Sequence, residues 1–331
     1  MGTPLVSVLV PVYNVEPYIE RCARSLFEQT YDNLEYIFCD DCSTDASIHI
    51  LESVMKDYPQ RLEQIRIIHH ERNRGSAAAR NTLIDNCKGV FLFWVDSDDW
   101  VDTNAVEVLV KKQQETDADI VTCRAYAHFA RGEVREYFDG GWDLDRETLL
   151  EMILRSKRGA SVWRRLIRRE LFTVNHIKCI EGINGRDDFQ LIVPLIYFSR
   201  TIDGINAFLY HYRRDISHSI TYDYMNNLTY QIQDVTSHLH LRDFFIRQDE
   251  HFLNIISEAI VKRAYKYMMR HYSLKNRKGY QTMVDFILDM DKKYWNLIRW
   301  NNWVIKIIES NYYLMRLTYP IRNVLGKFFC N

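Results

Sequence analysis

The chain has 331 residues, of which 47% are hydrophobic and 26% charged, with a formal net charge of −1. That length exceeds one typical domain, and the composition excludes a disordered chain. The near-neutral balance excludes general electrostatic attraction to nucleic acid, and no apolar run approaches the length of a bilayer-spanning helix.

Met1-Gly2-Thr3-Pro4 leads straight into a strand pattern. It lacks the basic and apolar regions of a secretory leader, so no signal peptide is expected. Scattered cysteines fit a reducing compartment and a cytoplasmic location. Cys39-Asp40-Asp41-Cys42 has redox-motif spacing, but Cys39 closes an apolar run, and the helix opens only after it, with Ser43-Thr44-Asp45. No second cysteine pair completes a zinc site.

From residue 5 to 124 the pattern alternates. Leu5 to Val12 reads as strand and Pro17 to Gln29 as helix. Leu34 to Cys39 is strand, Thr44 to Lys56 helix. Ile65 to His69 is strand, Ala77 to Cys87 helix. Val90 to Val95 is strand, Asn104 to Glu115 helix, and Asp119 to Cys123 strand. Strands alternating with helices of this length predict βαβ units and a parallel sheet covered on both faces. Ligands of such sheets bind beyond the carboxyl ends of the strands. Residues 128 to 220 are mixed, with short strands near 133–138 and 206–213 and a helix over 187–199. After about 223 the chain turns helical, aromatic and basic.

The strand ends carry the chemistry. Pro11-Val12-Tyr13-Asn14 follows the first, Asp40-Asp41-Cys42-Ser43-Thr44-Asp45 the second, and Asn73-Arg74-Gly75-Ser76 the third. Asp96-Ser97-Asp98-Asp99 follows the fourth. Clustered carboxylates repel, and a divalent cation such as Mg²⁺ or Mn²⁺ relieves that repulsion through hard oxygen ligands. The same acids also suit the cap of the helix that follows. Asp40 and Asp45 read as caps and Asn14 as a turn residue when taken singly, but together the four strand ends favour a nucleotide crevice. The first strand-to-helix turn lacks G-x-G-x-x-G, and the chain has no phosphate loop, which disfavours a classical dinucleotide fold.

Val6-Ser7-Val8-Leu9-Val10-Pro11-Val12-Tyr13-Asn14, Asp40 to Asp45, Gly75-Ser76-Ala77-Ala78-Ala79-Arg80-Asn81 and Asp96-Ser97-Asp98-Asp99 resemble the signature series of family 2 glycosyltransferases. The resemblance covers roughly residues 4 to 125. It implies an α/β GT-A (Rossmann-like) fold with a mixed sheet flanked by helices, and an inverting enzyme of the hexosyltransferase type. It also implies a nucleotide-sugar donor, taken here as a UDP-sugar, and a Mn²⁺ or Mg²⁺ cofactor. The nucleoside then lies near Pro11, Tyr13, Asn14, Asp41 and Arg80, with Asp96 and Ser97 by the ribose or metal. Asp98, with Asp96, holds the cation on the diphosphate. Cys42 departs from the family, which most often has Gly there, and its side chain would narrow the base pocket.

Gly185-Arg186-Asp187-Asp188-Phe189 resembles the family's Gly-Glu-Asp segment and makes Asp188 the catalytic base; without the resemblance both acids read as helix-start charges. Arg213 and Arg214, in a segment continuing to His218-Ser219-Ile220-Thr221, read either as diphosphate ligands or as strand-edge charges. Trp163 reads as a sugar-stacking ring or a core residue. Residues 292–331 contain seven Lys or Arg against one Glu, with three Trp and four Tyr. That tail fits an interfacial helix at the inner face of the plasma membrane, or a helix packed on the catalytic domain.

The expected organisation is a GT-A domain over 1–220, with a nucleotide-sugar half at 1–125 and an acceptor half at 126–220, and a helical region over 221–331. The acceptor is a saccharide or lipid-linked saccharide in surface polysaccharide synthesis, with no nucleic-acid partner. Rival readings are a nucleotidyltransferase, for which the first loop lacks basic residues, and a non-catalytic membrane-associated nucleotide-sugar-binding protein.

Overall fold

The computed structural model describes residues 2–137, 142–214 and 227–288. The chain forms two compact units, Met1–Tyr222 and Asp223–Asn331. The basic aromatic tail at 292–331 and the His218 to Thr221 segment lie outside the described residues.

In chain order the first unit opens with β1 (Val6–Val12), α1 (Ile19–Phe27), β2 (Leu34–Asp40), α2 (Ser47–Met55), β3 (Ile65–His69) and α3 (Ser76–Asn86). It continues with β4 (Phe91–Trp94), β5 (Trp100–Val101), α4 (Ala105–Thr116), β6 (Ile120–His128) and β7 (Val134–Tyr137). α5 (Arg146–Leu154), β8 (Arg165–Arg168), α6 (Arg169–Val174), α7 (Asp187–Phe198) and β9 (Ile202–Arg213) complete it.

One sheet runs in the order β3-β2-β1-β4-β8-β6-β9-β5, with β7 paired to β6. β1 to β4 are mutually parallel where they pair. The sheet is mixed beyond them, because β8 inserts antiparallel between β4 and β6. The wholly parallel sheet read from the first 124 residues therefore holds for β1 to β4 alone. β9 then pairs parallel with β6 and antiparallel with β5. β8 and β9 come from the second half of the unit, so the two halves share one sheet and one core. The chain winds from β1 outward through β2 and β3, then returns to β4 on the other side. That reversal opens a crevice beyond the carboxyl ends of β1 and β4.

Continuous apolar runs make these strands because both faces are covered. Val6, Val8, Val10 and Val12 are buried, as is all of β4. Trp163 is 5% exposed and stacks on Tyr210 with ring centroids 4.7 Å apart, so it belongs to the core.

The second unit contains α8 (Leu228–Ile246), α9 (Glu250–Ser273) and α10 (Arg277–Leu288). Asn227 caps α8 through the Tyr230 N–H, and Asp249 caps α9 through the His251 and Phe252 N–H groups. Val235, Phe245, Ile256, Val261 and Met268 are buried within this unit. Asp234 has no exposure and accepts from Arg263 Nη1 at 2.7 Å and Tyr267 Oη at 2.5 Å. No described helix is long and apolar enough to cross a membrane.

Asp119 fixes the join between the sheet's two halves. It is 2% exposed and accepts from Arg168 Nε at 2.9 Å and Arg200 Nη2 at 2.7 Å. Burial raises its pKa, but the bonds from Arg200 and Arg168 outweigh burial and leave the carboxyl below its usual range. A depressed pKa contributes stability above the unfolded-state value that is lost as pH falls through the folded-state value. Asp119→Ala should destabilise the protein by about 2–3 kcal/mol in a denaturant titration at neutral pH, less than a fully buried pair because Arg200 reaches solvent. The gap between variant and parent should shrink in acid.

Candidate active site

The loops after β1 and β2 are stitched to each other. Asn14 has φ +50°, and its Oδ1 accepts from the Thr44 N–H at 2.8 Å. The Val15 N–H donates to Ser47 Oγ at 2.8 Å and the Glu16 N–H to Asp45 Oδ2 at 2.9 Å. Burial raises the Asp45 pKa, but bonds from Ser47 and the Glu16 backbone outweigh it and hold the carboxyl below its usual range. Asn14 and Asp45 are thus engaged in joining the two loops. Pro11 is half-buried opposite Cys39 of β2, while Tyr13 is 47% exposed, so its ring is open to a stacking partner.

Asp41 is 3% exposed. Its Oδ1 pairs with His70 Nδ1 at 2.7 Å and accepts from the Arg74 N–H at 2.8 Å, and its Oδ2 accepts from the Gly75 N–H at 2.7 Å. A carboxylate has about four acceptor sites, and three of those on Asp41 are used in holding the loop before α3. Cys42 has φ +62°, the left-handed region that glycine adopts without strain. The departure from Gly at this position is therefore strained in the backbone.

Arg80 is the hub of the crevice. The structure buries it to 5% exposure among three carboxylates. Its Nη2 donates to Asp96 Oδ1 at 3.1 Å, and its Nε donates to Asp187 Oδ2 at 2.8 Å. Asp188 Oδ1 lies 3.0 Å from Nη2 as an ion pair, without the alignment of a hydrogen bond. Burial works against the guanidinium's charge, and Asp188, Asp187 and Asp96 more than restore it, so its pKa rises. Three acids against one cation leave the cluster acid-rich. Burial pushes Asp188 up; Arg80 draws it down, and Asp187 and Asp96 push it up again, giving a value of about 7. About a quarter of its side chain remains open to solvent. Asp96 is likewise raised, by burial and then by Asp187 against the pull of Arg80.

The acids after β4 divide by role. Asp99 is 1% exposed and accepts from Tyr210 Oη and from the Arg213 N–H, both at 2.7 Å. Tyr210 Oη also accepts from the Asp96 N–H at 3.1 Å, so one hydroxyl fixes both ends of the loop. Ser97 is buried. Burial, then Asp98 and Asp96, push Asp99 well up. Asp98 is half-buried. Among the described residues no three His, Cys, Asp or Glu converge as a closed metal site. The donor set nevertheless fits Mg²⁺ or Mn²⁺, which take one or two carboxylates and fill the rest of their shell with phosphate and water. Asp98 would hold the cation, with Asp96 contributing only the oxygen that Arg80 leaves open.

The two arginines at the end of β9 separate. Arg213 donates from Nε to the Asp98 carbonyl at 3.1 Å, and its guanidinium lies 4.8 Å from the Tyr18 ring and 5.1 Å from the Trp100 ring. Arg214 is exposed, and its backbone N–H donates to the His128 carbonyl at 2.7 Å. Arg21 stacks 3.3 Å from the centre of the Trp100 ring, and burial followed by Arg213 lowers its pKa. Sequence pattern singled out neither Arg21 nor the Asp187–Arg80 bond. The partners of that bond lie 107 residues apart, so no local spacing marks them.

The chain matches glycosyl transferase family 2 over residues 7–174. It belongs to that family. It is 31% identical to EpsH of Bacillus subtilis (strain 168) over 69% of this chain and 66% of EpsH, just under two thirds of the relative's length. It is 34% identical to the glycosyltransferase GlyG of Streptococcus pneumoniae serotype 4 over 63% of this chain and 71% of GlyG. The fold is similar to that of S. aureus TarS residues 1–349 crystallised with UDP-GlcNAc, with TM-score 0.65 at 19% identity, covering 88% of this chain and 83% of that one. The architecture is accordingly GT-A, with helices after the sheet.

Two outcomes follow from this geometry. If Asp188 must be ionised for activity, the rate should fall about tenfold per pH unit below about 7, because protonation removes the working form. An acid limb near pH 4 in a pH–rate profile would show that Arg80 overrides burial. A raised folded-state pKa also means that Asp188 contributes stability below its unfolded value, which is lost as pH rises through about 7. Cys42→Gly should raise stability by up to about 1 kcal/mol through relief of the left-handed backbone, offset in part by the greater freedom of glycine in the unfolded chain. Thermal unfolding measures the balance, and a loss above 1 kcal/mol would assign the thiol a packing role.

Proposed function

We propose that this glycosyltransferase is an inverting, metal-dependent enzyme. It moves a sugar from a UDP-sugar to a hydroxyl of a saccharide or lipid-linked saccharide, in synthesis of a surface polysaccharide or glycoconjugate. The observation that carries this reading is the placement of Asp188. It is a carboxyl of raised pKa with an open side, tied through Arg80 to Asp96 at the end of β4. An acceptor hydroxyl is a poor nucleophile until a carboxylate takes its proton, and Asp188 has the basicity for that at neutral pH. The hydroxyl attacks the anomeric carbon on the face opposite the diphosphate, which inverts the configuration.

Tyr13 stacks on the nucleobase, Asp41 accepts from a base N–H, and Pro11 and Asn14 border the nucleoside. Asp96 and Ser97 frame the ribose side, and Arg80 holds Asp96 at the edge of the nucleoside site. The UDP assignment draws support from the TarS complex, whose ligand is UDP-GlcNAc. Asp98 would hold Mn²⁺ or Mg²⁺, which when bound supplies positive charge beside the diphosphate. Arg213 and Arg214 add cationic charge on that side.

Asp188→Asn should lower transfer by on the order of 10²–10⁴-fold while leaving nucleotide-sugar affinity nearly unchanged. Asp187→Asn keeps an acceptor oxygen for Arg80 and should be much milder. If the tolerances are reversed, Asp187 is the base. UDP should bind more tightly than GDP or ADP by calorimetry in the presence of Mn²⁺, and chelator should abolish transfer. Equal affinity for the three nucleotides rejects the uracil assignment, and full activity in chelator rejects the metal.

A further inference from the structure

Asn81 follows Arg80 on α3 and is 7% exposed. Its side-chain amide forms a pair of bonds with one peptide position far away in sequence. Nδ2 donates to the Cys179 carbonyl at 2.9 Å, and Oδ1 accepts from the Cys179 N–H at 2.8 Å. Two more contacts hold the same stretch against the start of α3. Gly75 has φ +88°, and an added Cβ would fall 2.2 Å from Asn184 Nδ2. Only glycine lets Asn184 approach this closely. Asn184 Oδ1 then accepts from the Ala77 N–H at 3.2 Å.

Gln190 of α7 serves the stretch from its other side. Its Oε1 accepts from the Ile180 N–H at 2.7 Å, and its Nε2 donates to the Ile183 carbonyl at 3.1 Å. Residues 179–184 have no regular secondary structure, so side chains supply what a helix or strand ladder would otherwise supply. The stretch leads directly into Asp187 and Asp188.

We propose that Asn81 is a positioning residue for the transfer. By pinning Cys179 to α3 it sets where Asp188 stands relative to the donor crevice. The inference rests on reading Asp188 as the base. The donor-side loop ends at α3, because Asp41 holds the Arg74 and Gly75 N–H groups. The base arrives on a chain segment about a hundred residues later. Two parallel bonds from one buried amide fix both the separation and the rotation of that segment. A single bond would leave the rotation open. Arg80 adds a charged tie to Asp187 at 2.8 Å, one residue along the same helix. Asn81 itself is buried, with both polar atoms of its amide engaged by Cys179.

The test uses the full chain with a UDP-sugar and its acceptor, once a donor screen has identified them. Asn81→Ala and Asn184→Ala are compared with the parent for kcat at saturating substrates and for UDP affinity by calorimetry with Mn²⁺. The calorimetric stoichiometry reports the folded, binding-competent fraction, so kcat is expressed per competent molecule. A displaced general base costs on the order of 10²-fold, and Asn81→Ala should show a loss of that order with UDP affinity within about twofold. Asn184→Ala should fall in the same direction by a smaller factor.

Unchanged kcat in Asn81→Ala overturns the proposal. UDP affinity falling in step with kcat also overturns it, because the residue would then belong to donor binding. If Asn81→Ala does not fold, the half-buried Asn184→Ala decides, and full kcat there overturns the proposal. Asp188→Asn separates the two layers. Full transfer in that variant rejects the base, and the positioning proposal with it. An inactive Asp188→Asn beside a fully active Asn81→Ala rejects the positioning role alone.

Discussion

Arg80 is a guanidinium stripped of water, and carboxylates reach it from both sides of the crevice to hold its charge. Asp96 comes from the end of β4, and Asp187 and Asp188 come from the start of α7. Moving either element would leave a buried charge without its full set of partners, at a cost of several kcal/mol. The same arrangement sets the chemistry. One cation cannot neutralise three acids, so the remaining negative charge and the low exposure hold the Asp188 proton to about pH 7. The electrostatics that fix the α7 segment also raise the basicity of the Asp188 carboxyl.

Around this centre, backbone groups are satisfied by side chains that cross between loops. Asn14, Asp45 and Ser47 join the loops after β1 and β2. Asp41 organises the turn into α3. Tyr210 and Asp99 bind the acidic loop to β9. Most are short polar residues in the loops that follow strands, where the ladder stops and N–H groups would otherwise lack partners, and Tyr210 reaches its loop from within β9. This accounts for residues that look like ligands from their place in the chain yet are engaged in holding loops. Asp99, Asp45 and Asp41 all belong to this group.

The reversal of β8 has the largest architectural consequence. A short strand from residues 165–168 lies between β4 and β6, antiparallel to both. It draws the second half of the unit into the sheet and lets β9 carry Tyr210 and Arg213 to the acidic loop. Asp119, bonded by Arg168 and Arg200, locks that join.

Sequence alone determined the parallel strands β1 to β4 and the helices between them, because strands buried on both faces must be continuously apolar and their ends must be polar. It also marked the acids after β4 and the Asp187-Asp188 pair, since carboxylates crowded at strand and helix ends are visible without coordinates. Elements such as β8 and the two-residue β5 were not legible, being too short to show a period. What tertiary structure decided was partnership. The motif marks Arg80, but not the acids it pairs with, which lie up to 108 residues away. The left-handed φ of Cys42 and the close approach of Asn184 to Gly75 likewise depend on the path of the backbone. Periodicity reports which side of an element is buried, because burial acts on each residue separately. It cannot report which charges meet, because pairing is settled only when distant segments pack into the same low-dielectric space.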